Sequence, residues 1–392
     1  MKRVVRAKNL HPSWLMFVLM IGILVGSMLA VINRWNFVNS VVWYGFAAVC
    51  MMFVYVFPKH TFAVIALVAG LMIGLVRSAS VLMHGENLPE QWDFVMSTRD
   101  WFAERISSAL PETEAKLSMA YLLGIKDGLS KKLNDELKAV GLAHVVVASG
   151  AHLSILVEVV KKIFSKTSRF AVVFFAELLI LLFMVMVGWT PSIMRAGIMT
   201  TLGLLAWYIG RRFAPWRIIL TTMTITILIN PLYWTNLGWL LSFASLGGIM
   251  ILGPILTRFL YGKEKPNFVA KIILTTIAAT LMTLPITLYY FGSISIIAVV
   301  ANLLILPTLP YVMGLVFATG LLAGIPGVGM VVSFVAEKLL QYHIAVVEFF
   351  AAQKYFIIEV PVGNPWVYIL YIVVLVLLVV GRKTSGNISK IC

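Results

Sequence analysis

Apolar runs of about 19 residues recur along this chain, and each is long enough, at ~1.5 Å per residue, to cross the ~30 Å hydrocarbon core of a bilayer as a helix. The first is Trp14 to Ile32, followed by Val38 to Phe57 and Phe62 to Leu82. Hydrocarbon holds no water to bond backbone N–H and C=O groups, so such runs must satisfy themselves as helices. With 61% hydrophobic and 12% charged residues among 392, and a mean hydropathy of +0.97, a water-soluble fold is excluded. The predicted fold is all-α: a polytopic helical integral membrane protein with about 10–12 transmembrane or re-entrant helices and two interfacial amphipathic segments. A cleaved signal peptide is the alternative for the first run. Two further spans with no soluble domain after a cleavage site argue against it.

Later spans are predicted at Phe170 to Gly188, Ser192 to Gly210, Trp216 to Asn230, Leu237 to Leu256, Ala270 to Tyr290, Ile294 to Leu309, Tyr311 to Gly324 and Trp366 to Val380. Pro307 and Pro310 hinge the pair within 294–324, which a re-entrant loop would also explain. The stretch from His84 to Lys116 interleaves seven acids with Trp92, Phe94, Trp101 and Phe102, as an amphipathic segment on a membrane face does. Pro326 to Gln353 mixes Glu337, Lys338, His343 and Glu348 with aliphatics and is assigned to a second interfacial helix. Ser130 is the expected N-cap of a short polar helix, KKLNDELKAV. The domain division expected is a three-span region at 1–83, the outer segment at 84–116, a core at 117–324, and an interfacial helix, last span and basic tail at 325–392.

The formal net charge of +15 suits a nucleic-acid partner, but cytoplasmic loops of membrane proteins carry excess Lys and Arg in any case, so placement decides. With the N-terminus cytoplasmic, the inner segments collect Lys2, Arg3, Arg6, Lys8, Lys59, Lys161, Lys162, Lys166, Arg169, Arg211, Arg212, Arg217, Arg258, Lys263, Lys265, Lys271, Arg382, Lys383 and Lys390, opposed by Glu264 alone. The acidic 84–116 segment then lies outside. This requires Ala139 to Val160 to cross as well, with both termini cytoplasmic in the inner (plasma) membrane.

That stretch, AVGLAHVVVASGAHLSILVEVV, carries Ser149 and Gly150 mid-run with His144 and His152 on either side. Polar groups and a helix breaker at membrane depth mark a pore-lining or gate element; the alternative for His152 is a hydrogen-bonded packing residue. Ser192 and Arg195 open the next broken motif, GWTPSIMRAGIM. Arg195 either snorkels to the outer face or offers its fork to a phosphate. Asn230, Asn236, Ser242, Ser245 and Asn302 are either glue between helices or ligand contacts, and Lys126 and Asp127 in GIKDG are either a solvated turn or a pore mouth.

Covalent and metal chemistry is not indicated. The six histidines form no H-x-H-x-D or H-E-x-x-H cluster, and His144 and His152 would stand ~12 Å apart on one helix. No G-x-x-x-x-G-K-[ST] occurs, so no ATP-driven motor is expected in this chain. A-S-G-A-H lacks the G-x-S-x-G elbow of a serine hydrolase. Cys50 and Cys392 offer neither a disulfide framework nor a metal site. The expectation is no catalytic residue, no metal and no cofactor.

Four stretches in order, GIKDGLSKKLNDELKAVGLAHVVVASGAHLSILV, GWTPSIMRAGIM, NPLYWTNLGWLLSFASLGGIMIL and TLPITLYYFGSISIIAVVANLLILP, resemble the competence domain of the ComEC family over Leu117 to Gly324. Its members are inner-membrane channels that pass single-stranded DNA into the cytoplasm during natural transformation. The resemblance implies a DNA path or gate at Ser149, Gly150, His152, Ser192 and Arg195. It also implies mouth or scaffold roles at Asp127, Ser242 and Asn302, to which Lys126, His144 and Asn230 are added from their placement. The sequence departs from the family in VVVA before SGxH and in Ala151. The outer OB-like domain and the C-terminal metallo-β-lactamase-like domain of many members are expected to be missing, so a separate nuclease, or none, is implied. Further implied partners are a DNA receptor on the outer face and a cytoplasmic ATPase, helicase or single-strand-binding protein; a homo-oligomer is also compatible. The competing classes are a secondary transporter or flippase for a small anionic solute or lipid, and a membrane scaffold.

Overall fold

The computed structural model describes residues 12–32, 61–84, 93–125, 128–142, 150–164, 166, 168–211, 214–262, 264–295, 297–353, 357–359 and 369. These fold as helices, apart from one antiparallel pair of three-residue strands. Among the described residues, seven helices are long and apolar enough to cross a membrane. Ala298–Ile305 and Leu309–Leu322, bent by 49°, pass the same test as a pair, giving up to eight spans. Val38 to Phe57 and most of Trp366 to Val380 lie outside the described residues. Packing divides the chain into two compact units, residues 1–88 with 217–240, and residues 89–216 with 241–392.

In the first unit α1 (Pro12–Ile32) and α2 (Thr61–His84) lie against each other along their length. The contact is made by glycines: a Cβ at Gly22, Gly26, Gly70 or Gly74 would collide with backbone of the opposite helix. Both pairs are spaced G-x-x-x-G, which puts the bare Cα atoms on one stripe and lets the backbones approach. The buried Ser27 and Ser78 hydroxyls meet at 3.0 Å beside that stripe. The third helix, α9 (Pro215–Ile229), has 15 residues and ends at Asn230-Pro231. Its C-terminal carbonyls at Leu228 and Ile229 accept from Arg77 Nε and Nη2 at 2.7 and 2.8 Å. A guanidinium from α2 thus caps a helix end that the dipole makes negative.

The second unit contains α3 (Asp93–Ala109), α4 (Glu112–Leu123), α5 (Lys131–Val140), α6 (Gly150–Ile163), α7 (Arg169–Val187) and α8 (Pro191–Ile209). After α10 (Leu237–Gly247), which begins in the first unit, come a π-helical turn at Gly248–Leu252, α11 (Gly253–Tyr261) and α12 (Phe268–Phe291). Then follow β1 (Ser293–Ser295), α13 (Ala298–Ile305), α14 (Leu309–Leu322), α15 (Val328–Ala351) and β2 (Ile357–Glu359), with Ile294 opposite Ile358 in the strand pair. The predicted cap of α5 is present: Ser130 Oγ accepts from Leu133 N at 3.2 Å. Leu133, Leu137 and Val140 form its buried stripe, and Gly141 ends it at φ 81°, a left-handed conformation that favours glycine.

Within the 84–116 segment the described residues form α3 and the start of α4, with Pro111 between them. Arg105 on α3 donates to the C-terminal carbonyls of α14, at Gly320 (2.7 Å) and Leu321 (3.3 Å), repeating the capping device of Arg77. Most of Pro326 to Gln353 is a single 24-residue helix, α15, which is also long and apolar enough to cross a membrane. Several of its polar residues are satisfied inside the fold. Gln341 donates to Glu114 and Glu337, at 3.2 and 2.9 Å, and His343 is fully buried.

His343 lies between Tyr121 Oη (3.2 Å from Nδ1) and Thr308 Oγ1 (2.8 Å from Nε2). Thr308 spends its one proton on Ile305 O at 2.9 Å, so it accepts from Nε2–H, and Nδ1 accepts from Tyr121. Burial pushes the Tyr121 phenol up, which keeps it a donor. The neutral Nε2–H imidazole therefore ties α4, the α13–α14 bend and α15 together.

Two outcomes follow for stability in detergent. Gly70→Leu forces α1 and α2 apart and lowers thermal stability by about 1–3 kcal/mol. His343→Leu and Tyr121→Phe each cost about 2 kcal/mol, and the double variant costs less than their sum, which a double-mutant cycle measures.

Candidate functional site

Three broken motifs meet at one arginine. Thr190, in extended conformation, and Pro191 at the first helical position start α8 sharply, because proline needs no amide partner there. Arg195 follows one turn later. Its Nε donates to Ser242 Oγ on α10, its Nη1 lies 3.7 Å from Met199 Sδ, and its Cζ stands 6.0 Å from the Phe243 ring centre. Gly150, the first residue of α6, completes the cluster. A methyl on its Cα would sit 3.7 Å from Arg195 Nη2 and 3.6 Å from the Ala196 Cβ. The guanidinium thus points at α6 and α10 rather than running outward along its own helix.

The energetics explain the arrangement. An arginine at membrane depth costs ~2.5–3.5 kcal/mol on the lenient insertion scale, and one hydrogen bond from a charged group returns ~1.5–3 kcal/mol. Among the described residues no carboxylate pairs with it. The hydroxyl of Ser242 orients the side chain without neutralising it. The Nη edge beside Gly150 keeps the donor geometry that matches a phosphate.

The other predicted site residues are distributed as follows. His152, the third residue of α6, is fully buried, as is Leu153 beside it in sequence. Ser192 is half-buried at the second residue of α8. Asn230 accepts from Leu232 N at 2.8 Å and Asn236 from Trp239 N at 3.1 Å, so both cap the turns that start at them. Ser245 donates to Ser242 O. Asn302 is buried on α13, and its Oδ1 has no partner among the described residues. Lys126, Asp127, His144 and Ser149 lie outside the described residues.

One polar pair was not anticipated. Glu177, in the middle of α7, accepts from Thr201 on α8 at 2.7 Å. Six residues separate Thr201 from Arg195, a rotation of ~120° about α8, so the carboxyl is turned away from the arginine cluster. A lone acid inside an apolar run was the available signal.

With this geometry in place, comparison with known proteins assigns the chain. A family model described as Competence protein matches residues 121–384, about two thirds of the sequence and all of Gly150, His152, Arg195, Ser242 and Asn302. ComE operon protein 3 of Bacillus subtilis (strain 168) is 25% identical over 227 residues, which cover 56% of this chain and 28% of that protein. The match therefore spans less than a third of that relative's length. No solved structure matches. The family model covers the broken motifs that converge on Arg195, and the chain belongs to the competence protein family.

Proposed function

We propose that this protein conducts single-stranded DNA across the inner membrane into the cytoplasm during natural transformation. The observation that carries the reading is the guanidinium of Arg195 on the apolar helix α8, held by Ser242 and facing Gly150, with no carboxylate partner among the described residues. Gly150, His152, Ser192 and Arg195, with Ser149 beside them in sequence, are the proposed path; Asn302 and Ser242 support it.

Both termini are placed in the cytoplasm, as the distribution of Lys and Arg favours. The acidic outer segment repels a polyanion, so delivery falls to a separate DNA receptor. Carrying each phosphate inward against an inside-negative potential costs up to ~2.3 kcal/mol per 100 mV. A cytoplasmic ATPase, helicase or single-strand-binding protein supplies that work or traps the strand. A small-anion transporter draws on the bent pair α13 and α14, since broken helices also build transporter sites.

Sidedness is checked with single cysteines in a chain whose Cys50 and Cys392 are replaced. A membrane-impermeant maleimide should label a cysteine at Asp100 in intact spheroplasts, and one at Lys265 only after lysis. The reverse pattern overturns the orientation.

Function is checked by cytoplasmic entry of labelled DNA in a deletion strain complemented at matched membrane abundance. Arg195→Gln should lower entry by roughly 10–100-fold, the loss of one charge-assisted phosphate contact, and Arg195→Lys should rescue only part of it. Undiminished DNA entry in the deletion strain would sink the channel reading and promote the solute transporter.

A further inference from the structure

A second cationic site lies at one end of α6, α7 and α8, which pack pairwise against one another. Lys161 and Lys162 occupy the last turn of α6, Lys166 the connection, Arg169 the first residue of α7, and Arg211 the second residue past the end of α8. Two of them share one aromatic ring: Lys161 Nζ and Arg169 Cζ each stand 5.6 Å from the Trp207 ring centre. Among the described residues none of the five makes an ion pair, and Glu158, one turn before Lys162, bridges to none of them. Five cations gathered without counterions call for an anion from outside the protein.

The surface beside the cations selects the kind of anion. Phe170 and Phe174 on α7 and Leu205 and Ile209 on α8 are exposed, each pair one turn apart and leading from the cationic end into the span. A nucleic-acid backbone would meet the charges and leave this apolar surface bare. A phospholipid matches both, because its headgroup carries the phosphate and its chains follow the helices.

We propose that Lys161, Arg169 and Trp207, with Lys162, Lys166 and Arg211 around them, bind the headgroup of an anionic phospholipid whose acyl chains lie along Phe170–Phe174 and Leu205–Ile209. The site is separate from the Arg195 cluster. Arg195 lies in the first turns of α8, and Trp207 is 12 residues, or ~18 Å of helix, further on.

The test uses the full chain in nanodiscs, with fluorescent phosphatidylglycerol, cardiolipin and phosphatidylcholine as probes, and native mass spectrometry to count retained lipid. The two anionic lipids should be retained over phosphatidylcholine. Lys161→Gln/Arg169→Gln should weaken their binding by about 25-fold, near fivefold for each cation removed. Arg258→Gln, in the last turn of α11, should leave it unchanged. The exposed pair Lys162→Gln/Lys166→Gln serves as a second variant should the first fail to fold. Unaltered lipid affinity in both Lys161→Gln/Arg169→Gln and Lys162→Gln/Lys166→Gln overturns the proposal. So does loss of binding for a single-stranded oligonucleotide but not for lipid, which would assign the cations to the nucleic-acid path. Competition by inorganic phosphate as effective as phosphatidylglycerol would assign the site to a free anion instead.

Discussion

The structure depends on one constraint: a polar group placed where water is absent must find its partner in the protein. Helix ends show it most plainly, since each leaves carbonyls that no intrahelical amide reaches. Arg77 supplies the missing donors to Leu228 and Ile229, and Arg105 to Gly320 and Leu321. Each arginine makes a short or broken helix tolerable. The 15-residue α9 can stop at Asn230-Pro231, and α14 can end beneath α3, because the exposed carbonyls are already occupied.

The same constraint explains which parts of the fold were legible in the sequence. Spans announce themselves by length and hydropathy, and the Ser130 cap by its residue type, so these were readable. The G-x-x-x-G stripes of α1 and α2 were equally present in the text, but they signal a contact only once the two helices are known to be neighbours. In α15, Glu337, Gln341 and His343 look like a solvated face when counted alone. Only the partners, Glu114 from α4 and Tyr121 and Thr308 from elsewhere in the chain, show that these groups are satisfied within the fold. A partner more than two hundred residues away leaves no local trace.

The candidate site was legible in a different way. Gly150, Arg195 and Ser242 each drew notice as a polar or flexible residue inside an apolar run, but nothing in their spacing said that they meet. The alternatives for Asn230 and Asn236 now favour local capping, because each side chain accepts from an amide two or three residues on. Arg195 has no such local use. Its hydrogen bond crosses to another helix, as expected of a group whose position is fixed for something other than folding its own turn.

The choice of Ser242 as that anchor carries a physical consequence. A carboxylate there would hold the guanidinium more tightly, but it would also neutralise the charge and compete with any incoming phosphate. A hydroxyl fixes the Nε edge and leaves the charge intact, at the cost of leaving a cation in a low-dielectric setting. The one acid nearby in sequence, Glu177 on α7, is bound by Thr201 on a different side of α8. α8 thus carries Arg195 on one side and, about a third of a turn away, Thr201, which holds the Glu177 carboxyl of α7. Rotating α8 by that angle would exchange the two, so the Gly197–Met184 contact that sets its rotation against α7 matters to the site although it touches neither charge.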